Sequence, residues 1–229
     1  MRKGLFVTGT DTDVGKTFVT SAIAGALRKM GIDVGVFKPM QSGTRREDPN
    51  SDAFILKATS EDSSPLEDIA PFTFEEPLAP YVAAKRQGLD ISLEEVLQVW
   101  RRREKEHEFF LVEGAGGLAV PLGRSYLVSD VAKAIGLPLL IVARPDLGTV
   151  NHTLLTIQFA KSMGLEIVGV IVNGLMEEQQ SVAEQTNPAL IEEFSGIPVL
   201  GVIPRVYQKD FEWIIRMLCD HISMNKILL

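Results

Sequence analysis

Near the start of the chain, the run Gly9-Thr10-Asp11-Thr12-Asp13-Val14-Gly15-Lys16-Thr17 has the residue types that hold a polyphosphate. Gly15 permits close backbone approach, successive N–H groups and the start of a helix face anionic oxygens, and Lys16 adds a point charge. The Thr17 hydroxyl suits Mg²⁺. The spacing is one residue longer than G-x-x-x-x-G-K-T, so Thr10 stands where the first glycine usually does. The plain alternative is a strand–helix turn with a chance Gly-Lys-Thr. The apolar run before it and the helical pattern after it favour nucleotide binding. Magnesium held with a nucleotide also calls for a carboxylate from a neighbouring strand end. Phe109-Phe110-Leu111-Val112-Glu113-Gly114-Ala115-Gly116-Gly117 offers Glu113, followed by glycines that let backbone and ligand approach. Asp52, in Asn50-Ser51-Asp52-Ala53, is a second acid that by itself fits a helix cap equally well.

A strand before such a loop and a helix after it belong to an alternation that fills the chain. Strand candidates are Gly4–Thr8, Val34–Phe37, Phe109–Val112, Leu139–Ala143, Ile167–Val172 and Val199–Ile203. They are almost unbroken in Val, Ile, Leu and Phe, as strands covered on both faces would be. Helical patterns lie at Lys16–Met30, Leu93–His107, Ser129–Ala134, Val150–Met163 and Ala189–Phe194, and Phe211–Met224 fits a terminal helix. The expectation is an α/β chain with three α/β/α layers, a mostly parallel sheet and ligands at the carboxyl ends of its strands. Residues 41–87 carry five of the twelve prolines and several acidic clusters. They read as a loop-rich insertion with short helices at the active-site rim, within one domain spanning 1–229.

The chain has 229 residues, 45% of them hydrophobic, and a formal charge of −7. An acidic balance argues against coating nucleic acid or an anionic membrane. The single cysteine, Cys219, has no internal partner for a disulfide and fits a reducing compartment. The chain start turns polar after one short apolar run, unlike a signal peptide, and no apolar stretch approaches the ~20 residues of a membrane helix. A cytoplasmic protein is expected.

With these residues in place, the chain resembles the dethiobiotin synthetase family. The resemblance runs from about Gly4 to Pro204, through V-T-G-T-D-T-D-V-G-K-T (Val7–Thr17), F-K-P-M-Q-S-G (Phe37–Gly43), N-S-D-A (Asn50–Ala53), E-G-A-G-G (Glu113–Gly117), A-R-P-D-L-G-T-V-N-H (Ala143–His152) and V-N-G (Val172–Gly174). It implies a P-loop NTPase fold and a reaction joining 7,8-diaminononanoate, CO₂ and MgATP into dethiobiotin, ADP and phosphate through a carbamate and a carbamic–phosphoric anhydride. It further implies that Lys16 and Lys38 flank the carbamate and γ-phosphate, and that Thr17, Asp52 and Glu113 surround Mg²⁺. ATP would be held by Asp13, Val14, Gly15, Lys16, Thr17 and Phe18, and by Gly114, Ala115 and Gly116 beside Glu113. Asn173 would read the adenine, with Gly174, Pro204, Arg205 and Val206 completing the base pocket. Thr12 and Ser42 would bind the diamine. Gly148, Thr149, Val150 and Asn151 of a second subunit would receive its carboxylate, which makes the expected enzyme a homodimer with shared sites. Asp13 stands where many members have Glu, one methylene longer.

Other conspicuous residues read as structural. Arg101–Glu106 forms a mixed-sign helix face expected to be solvated. His107 and His221 lack metal-ligand spacing, and Cys219 reads as packed in a terminal helix. Two other functions fit a phosphate loop. An amidotransferase-linked synthetase usually carries a further domain of ~200 residues. A partition or carrier ATPase often has an early lysine in the loop, where this chain has Thr10 to Asp13.

Overall fold

The computed structural model describes residues 3–176, 178, 180–207 and 211–228. Six strands form one parallel sheet: β1 (Gly4–Gly9), β2 (Val34–Phe37), β5 (Phe109–Gly117), β6 (Leu139–Ala143), β7 (Ile167–Leu175) and β8 (Val199–Pro204), in the order β2-β5-β1-β6-β7-β8. Two short strands between β2 and β5, β3 (Met40–Ser42) and β4 (Phe72–Phe74), pair in parallel as a separate ribbon. The expected α/β/α layering is present. Successive residues of a strand serve opposite layers, which is why these segments read as continuous apolar runs. Leu5 and Val7 join one core cluster, whereas Phe6 joins the other.

On the first face lie α1 (Lys16–Lys29), α2 (Asp52–Ser60), α3 (Leu66–Ile69), α9 (Phe211–His221) and α10 (Met224–Leu228). The second carries α4 (Pro80–Arg86), α5 (Leu93–Arg103), α6 (Val128–Ile135), α7 (Thr149–Ser162) and α8 (Val182–Ser195). Helices α1 and α9 meet closely because Gly25 has no side chain: a Cβ there would stand 2.5 Å from Ile215 Cδ1. No described helix is long and apolar enough to cross a membrane.

Several elements differ from the sequence expectation. Strand β5 runs on to Gly117, because Gly9 pairs with Gly117 across a register shift and the glycines offer no side chains to signal it. Glu113 therefore lies inside a strand. Helix α8 begins seven residues before the expected Ala189; a capping box between Ser181 and Glu184 starts it, and Pro188 is tolerated inside. Arg103, expected on a solvated face, is 2% exposed. It donates to Asp62 Oδ2 at 2.7 Å and to the Val36 carbonyl at 2.7 Å. Cys219 is exposed, not packed. The terminal pattern divides into α9 and α10, whose turn places Ser223 N on the Leu200 carbonyl at 3.0 Å.

Candidate active site

β1 ends at Gly9 and α1 begins at Lys16, so the loop between them lies at the carboxyl end of a central strand. Its start is pinned by Thr10 N–H donating to the Val142 carbonyl at 2.9 Å. Asp13 (φ 57°) and Gly15 (φ 88°) take left-handed backbone, which turns the chain into the helix. That conformation costs glycine little, so Gly15 is the residue the turn demands. Lys16 folds back over the loop, its Nζ donating to the Asp11 carbonyl at 3.0 Å. From β7, Asn173 Nδ2 donates to the Val14 carbonyl at 3.0 Å.

Beside the loop, four side chains converge, from α1, α2, β5 and the residue that follows β2. Lys38 directly follows β2, its backbone fixed by Lys38 N–H donating to the Ile69 carbonyl at 2.7 Å. Its Nζ lies 2.5 Å from Glu113 Oε1 and 2.6 Å from Asp52 Oδ2. Thr17 Oγ1 stands 2.8 Å from Asp52 Oδ1 and 2.8 Å from Glu113 Oε1, donating its one proton to either. Asp52 is the first residue of α2, and Ser51 is the cap, accepting from Phe54 N–H at 3.1 Å. The capping alternative for Asp52 thus falls to its neighbour, which frees Asp52 to point inward. Gln41 helps hold it there, its Oε1 accepting from Ala53 N–H at 2.9 Å.

Burial and charge set the proton affinities. Burial alone would lower the Lys38 pKa, but the Glu113 and Asp52 carboxylates overcome it and hold the ammonium well above its ordinary value. Lys16 moves the other way: burial and the neighbouring Lys38 charge lower its pKa, only partly offset by Glu113, Asp52 and Asp13. Asp52 is held below the usual carboxylate range; burial opposes this, but Lys38 and the Thr17 hydroxyl prevail. Glu113 is 0% exposed, and its Oε2 has no hydrogen-bond partner among the described residues. A buried carboxylate oxygen with no partner beside a hydroxyl shared by two acids suits a hard divalent cation. Among the described residues no three His, Cys, Asp or Glu gather as a metal cluster. Thr17, Asp52 and Glu113 are instead a partial oxygen set that could hold a hard divalent cation such as Mg²⁺.

Two cavities flank the loop. The larger, about 610 Å³, is lined by Thr12, Asp13, Gly15, Lys16, Thr17, Phe18, Lys38, Ser42, Asp52, Ala115 and Gly116 from the expected set. The smaller, about 300 Å³, brings Asp13, Val14, Gly15 and Phe18 together with Asn173, Gly174, Pro204, Arg205 and Val206. Glu113 and Gly114 lie buried beneath. Gly148, Thr149, Val150 and Asn151 line neither cavity; they form the start of α7, with Gly148 (φ 96°) as its cap residue. Sequence reasoning missed the apolar wall of the larger cavity, Met40, Pro77, Leu78, Pro80 and Val120, and Arg144, Pro145 and Asp146 in the smaller. Met40 and Gln41 lie within the K-P-M-Q-S-G run and Arg144 to Asp146 within A-R-P-D-L-G; Pro77 to Pro80 fall inside residues 41–87, expected at the rim, but in no motif that singles them out.

The chain matches the family model of an AAA domain over residues 3–212. It is similar to the ATP-dependent dethiobiotin synthetase BioD of Bacillus subtilis (strain 168), 50% identical over 226 residues covering 99% of this chain and 97% of the relative. The BioD of Bacillus licheniformis is also 50% identical, covering 99% and 96%. Among solved structures, the MinC:MinD cell division protein complex of Aquifex aeolicus superposes with a TM-score of 0.57 at 18% identity, over 94% of this chain and 86% of that one. A ParA family ATPase from Chlorobium tepidum gives 0.55 at 17% identity, over 99% and 93%. These two likenesses show the fold alone, α/β layers around a parallel sheet.

Proposed function

The chain belongs to the dethiobiotin synthetase family, and on that premise we propose that it carboxylates 7,8-diaminononanoate with CO₂ and closes the cyclic urea of dethiobiotin, converting ATP to ADP and phosphate. It is an ATP-dependent ligase of biotin biosynthesis that forms C–N bonds. The observation that carries the reading is the meeting of Lys38, Asp52, Glu113 and Thr17 beside the phosphate loop, at the end of a cavity with an apolar wall.

In this reading one amine of the diamine adds to CO₂ and loses a proton, giving a carbamate. A carbamate oxygen then attacks the γ-phosphorus as ADP leaves. The second amine attacks the carbonyl carbon, and phosphate leaves as the ring closes. Each stage places negative charge at one spot, and fixed cations stabilise it without reorganising. Lys38 supplies such a cation and stays protonated, since its pKa is raised. Lys16 supplies a second from the loop. Ser42 and Thr12 lie on the larger cavity, placed to orient the diamine, while Met40, Leu78, Pro80 and Val120 suit its methylene chain. Mg²⁺, held by Thr17, Asp52 and Glu113, would neutralise phosphate charge. Asn173, Gly174 and Pro204–Val206 would enclose the base in the smaller cavity, and the chain would work as one domain with 41–87 as its rim.

The start of α7 fits this scheme if a second copy completes the site. Gly148–Asn151 face neither cavity of their own chain, and Leu147 and Leu155 beside them are 83% and 62% exposed. A homodimer would place this helix start against the partner's bound diamine, where its N–H groups suit a carboxylate. Cytoplasmic localisation accords with the reaction. The test is direct: incubate the protein with MgATP, bicarbonate and the diamine, and look for the cyclic urea by mass spectrometry. ATP turnover that neither needs the diamine nor yields a urea would refute the proposal.

A further inference from the structure

The amide of Asn173 does something in this structure that base recognition does not require. Its Nδ2 donates to the Val14 carbonyl at 3.0 Å, linking residues 159 positions apart. A carbonyl only accepts, so the orientation of the amide is fixed: the nitrogen must face Val14. The same nitrogen fills the space above Gly15, where a Cβ would stand 2.1 Å away. Asn173 lies on β7 and pairs with Ile203 of β8, so its backbone is fixed by the sheet. Among the described residues, it is, apart from Lys16 at the start of α1, the one side chain from outside the loop that bonds a backbone group of residues 11–15. The front of the loop is tied to β6 through Thr10, and its middle, Asp11 to Asp13, is exposed. Without Asn173 the turn that sets the directions of Lys16 and Thr17 would be held, among the described residues, by α1, the packed Val14 side chain and the Lys16 bond to the Asp11 carbonyl.

We propose that Asn173 is a positioning residue that clamps the phosphate loop through the Val14 carbonyl, and that it does so for any polyphosphate, whatever base is attached. This rests on the loop's being the nucleotide-phosphate site, and it separates Asn173 from a residue that merely reads adenine. A base reader contributes nothing to a ligand without a base. A clamp contributes equally to ATP, CTP and inorganic tripolyphosphate, since all three need the loop in one shape.

The experiment is calorimetric titration of the full-length protein with the magnesium complexes of ATP, CTP and tripolyphosphate, for wild type and Asn173→Ala. The expected result is a loss of about three- to tenfold in affinity for tripolyphosphate, the range that one neutral hydrogen bond contributes. ATP and CTP should lose at least as much. The melting temperature of the ligand-free variant is read alongside, because a role confined to folding would lower it and leave affinity unchanged. Asn173→Asp keeps the volume and removes the donor, so it should behave no better than alanine; it serves if the alanine variant fails to fold. Wild-type affinity for tripolyphosphate in either variant, with ATP alone weakened, would overturn the clamp and leave a base reader. A wild-type protein that binds neither MgATP nor tripolyphosphate would overturn the clamp and the nucleotide reading together.

Discussion

Replacing Lys38 by methionine keeps the length of the side chain and removes its charge from between two carboxylates. Glu113 is fully buried, the Lys38 side chain is 4% exposed and that of Asp52 36%, so the loss leaves two acids facing each other with little water. Breaking a buried ion pair from one side typically costs roughly 3–5 kcal/mol. Because the Asp52 side opens to the cavity and can rehydrate, the lower end applies, about 3 kcal/mol. For a chain of this size that is a fall in Tm of about 6–12 °C. Lys16→Met provides the contrast. Burial and the Lys38 charge already lower the Lys16 pKa, so the ligand-free fold holds this ammonium against its preference. With a folded pKa below the unfolded 10.5, the penalty is full at lower pH and fades as pH rises through the folded value. Lys38 has the opposite sign: its contribution is full below 10.5 and is lost only as pH passes its raised folded value. Scanning calorimetry of nucleotide-free protein in EDTA at pH 7 should therefore show Lys38→Met melting well below wild type and Lys16→Met no lower than wild type. Both should lose about 10²–10³-fold in kcat, as expected for a lost charge-stabilising donor. Equal melting temperatures for the two variants, or a wild-type value for Lys38→Met, would refute the electrostatic account.

Glu113→Gln keeps the shape but halves the carboxylate charge facing the metal, so its Mg²⁺ midpoint in the synthetase assay should rise about 10–100-fold; an unchanged midpoint would remove Glu113 from the metal site. Asp62 is held at a pKa of about 2 despite burial, by hydrogen bonds from Ser64 and the Arg103 charge. Asp62→Asn should therefore cost about 2 kcal/mol at pH 7, a gap that closes as pH falls from 3.8 to about 2; urea titrations giving a pH-independent gap would contradict the assignment. In the proposed homodimer, Lys16→Ala and Val150→Glu should each be nearly inactive, and mixing equal amounts should restore roughly a quarter of wild-type activity, because half the dimers would be mixed and each would carry one intact site. No recovery despite subunit exchange would place the whole site within one chain.

What the sequence determined by itself was the chemistry carried by contiguous residues. The loop from Gly9 to Thr17 was legible because strand, glycine, lysine and helix follow one another, and each constrains its neighbour through the backbone. The parallel sheet was legible because strands buried on both faces must be apolar throughout. Glu113 was recognisable as an acid closing an apolar run, although β5 continues past it through glycines that carry no pattern. Tertiary structure decided everything that depends on distant segments arriving at one place. Asp52 is a cap or an inward-facing acid only once Ser51 has taken the cap and Lys38 stands opposite. Arg103 looks like one more surface arginine in a charged run until β2 and Asp62 close over it. Asn173 meets Val14 across 159 positions, and nothing local to either residue announces it. Local sequence sets backbone preference and hydrophobic periodicity, which act over a few residues. Proton affinities and clamps arise from charges and donors brought within a few ångströms by the packing of the whole sheet.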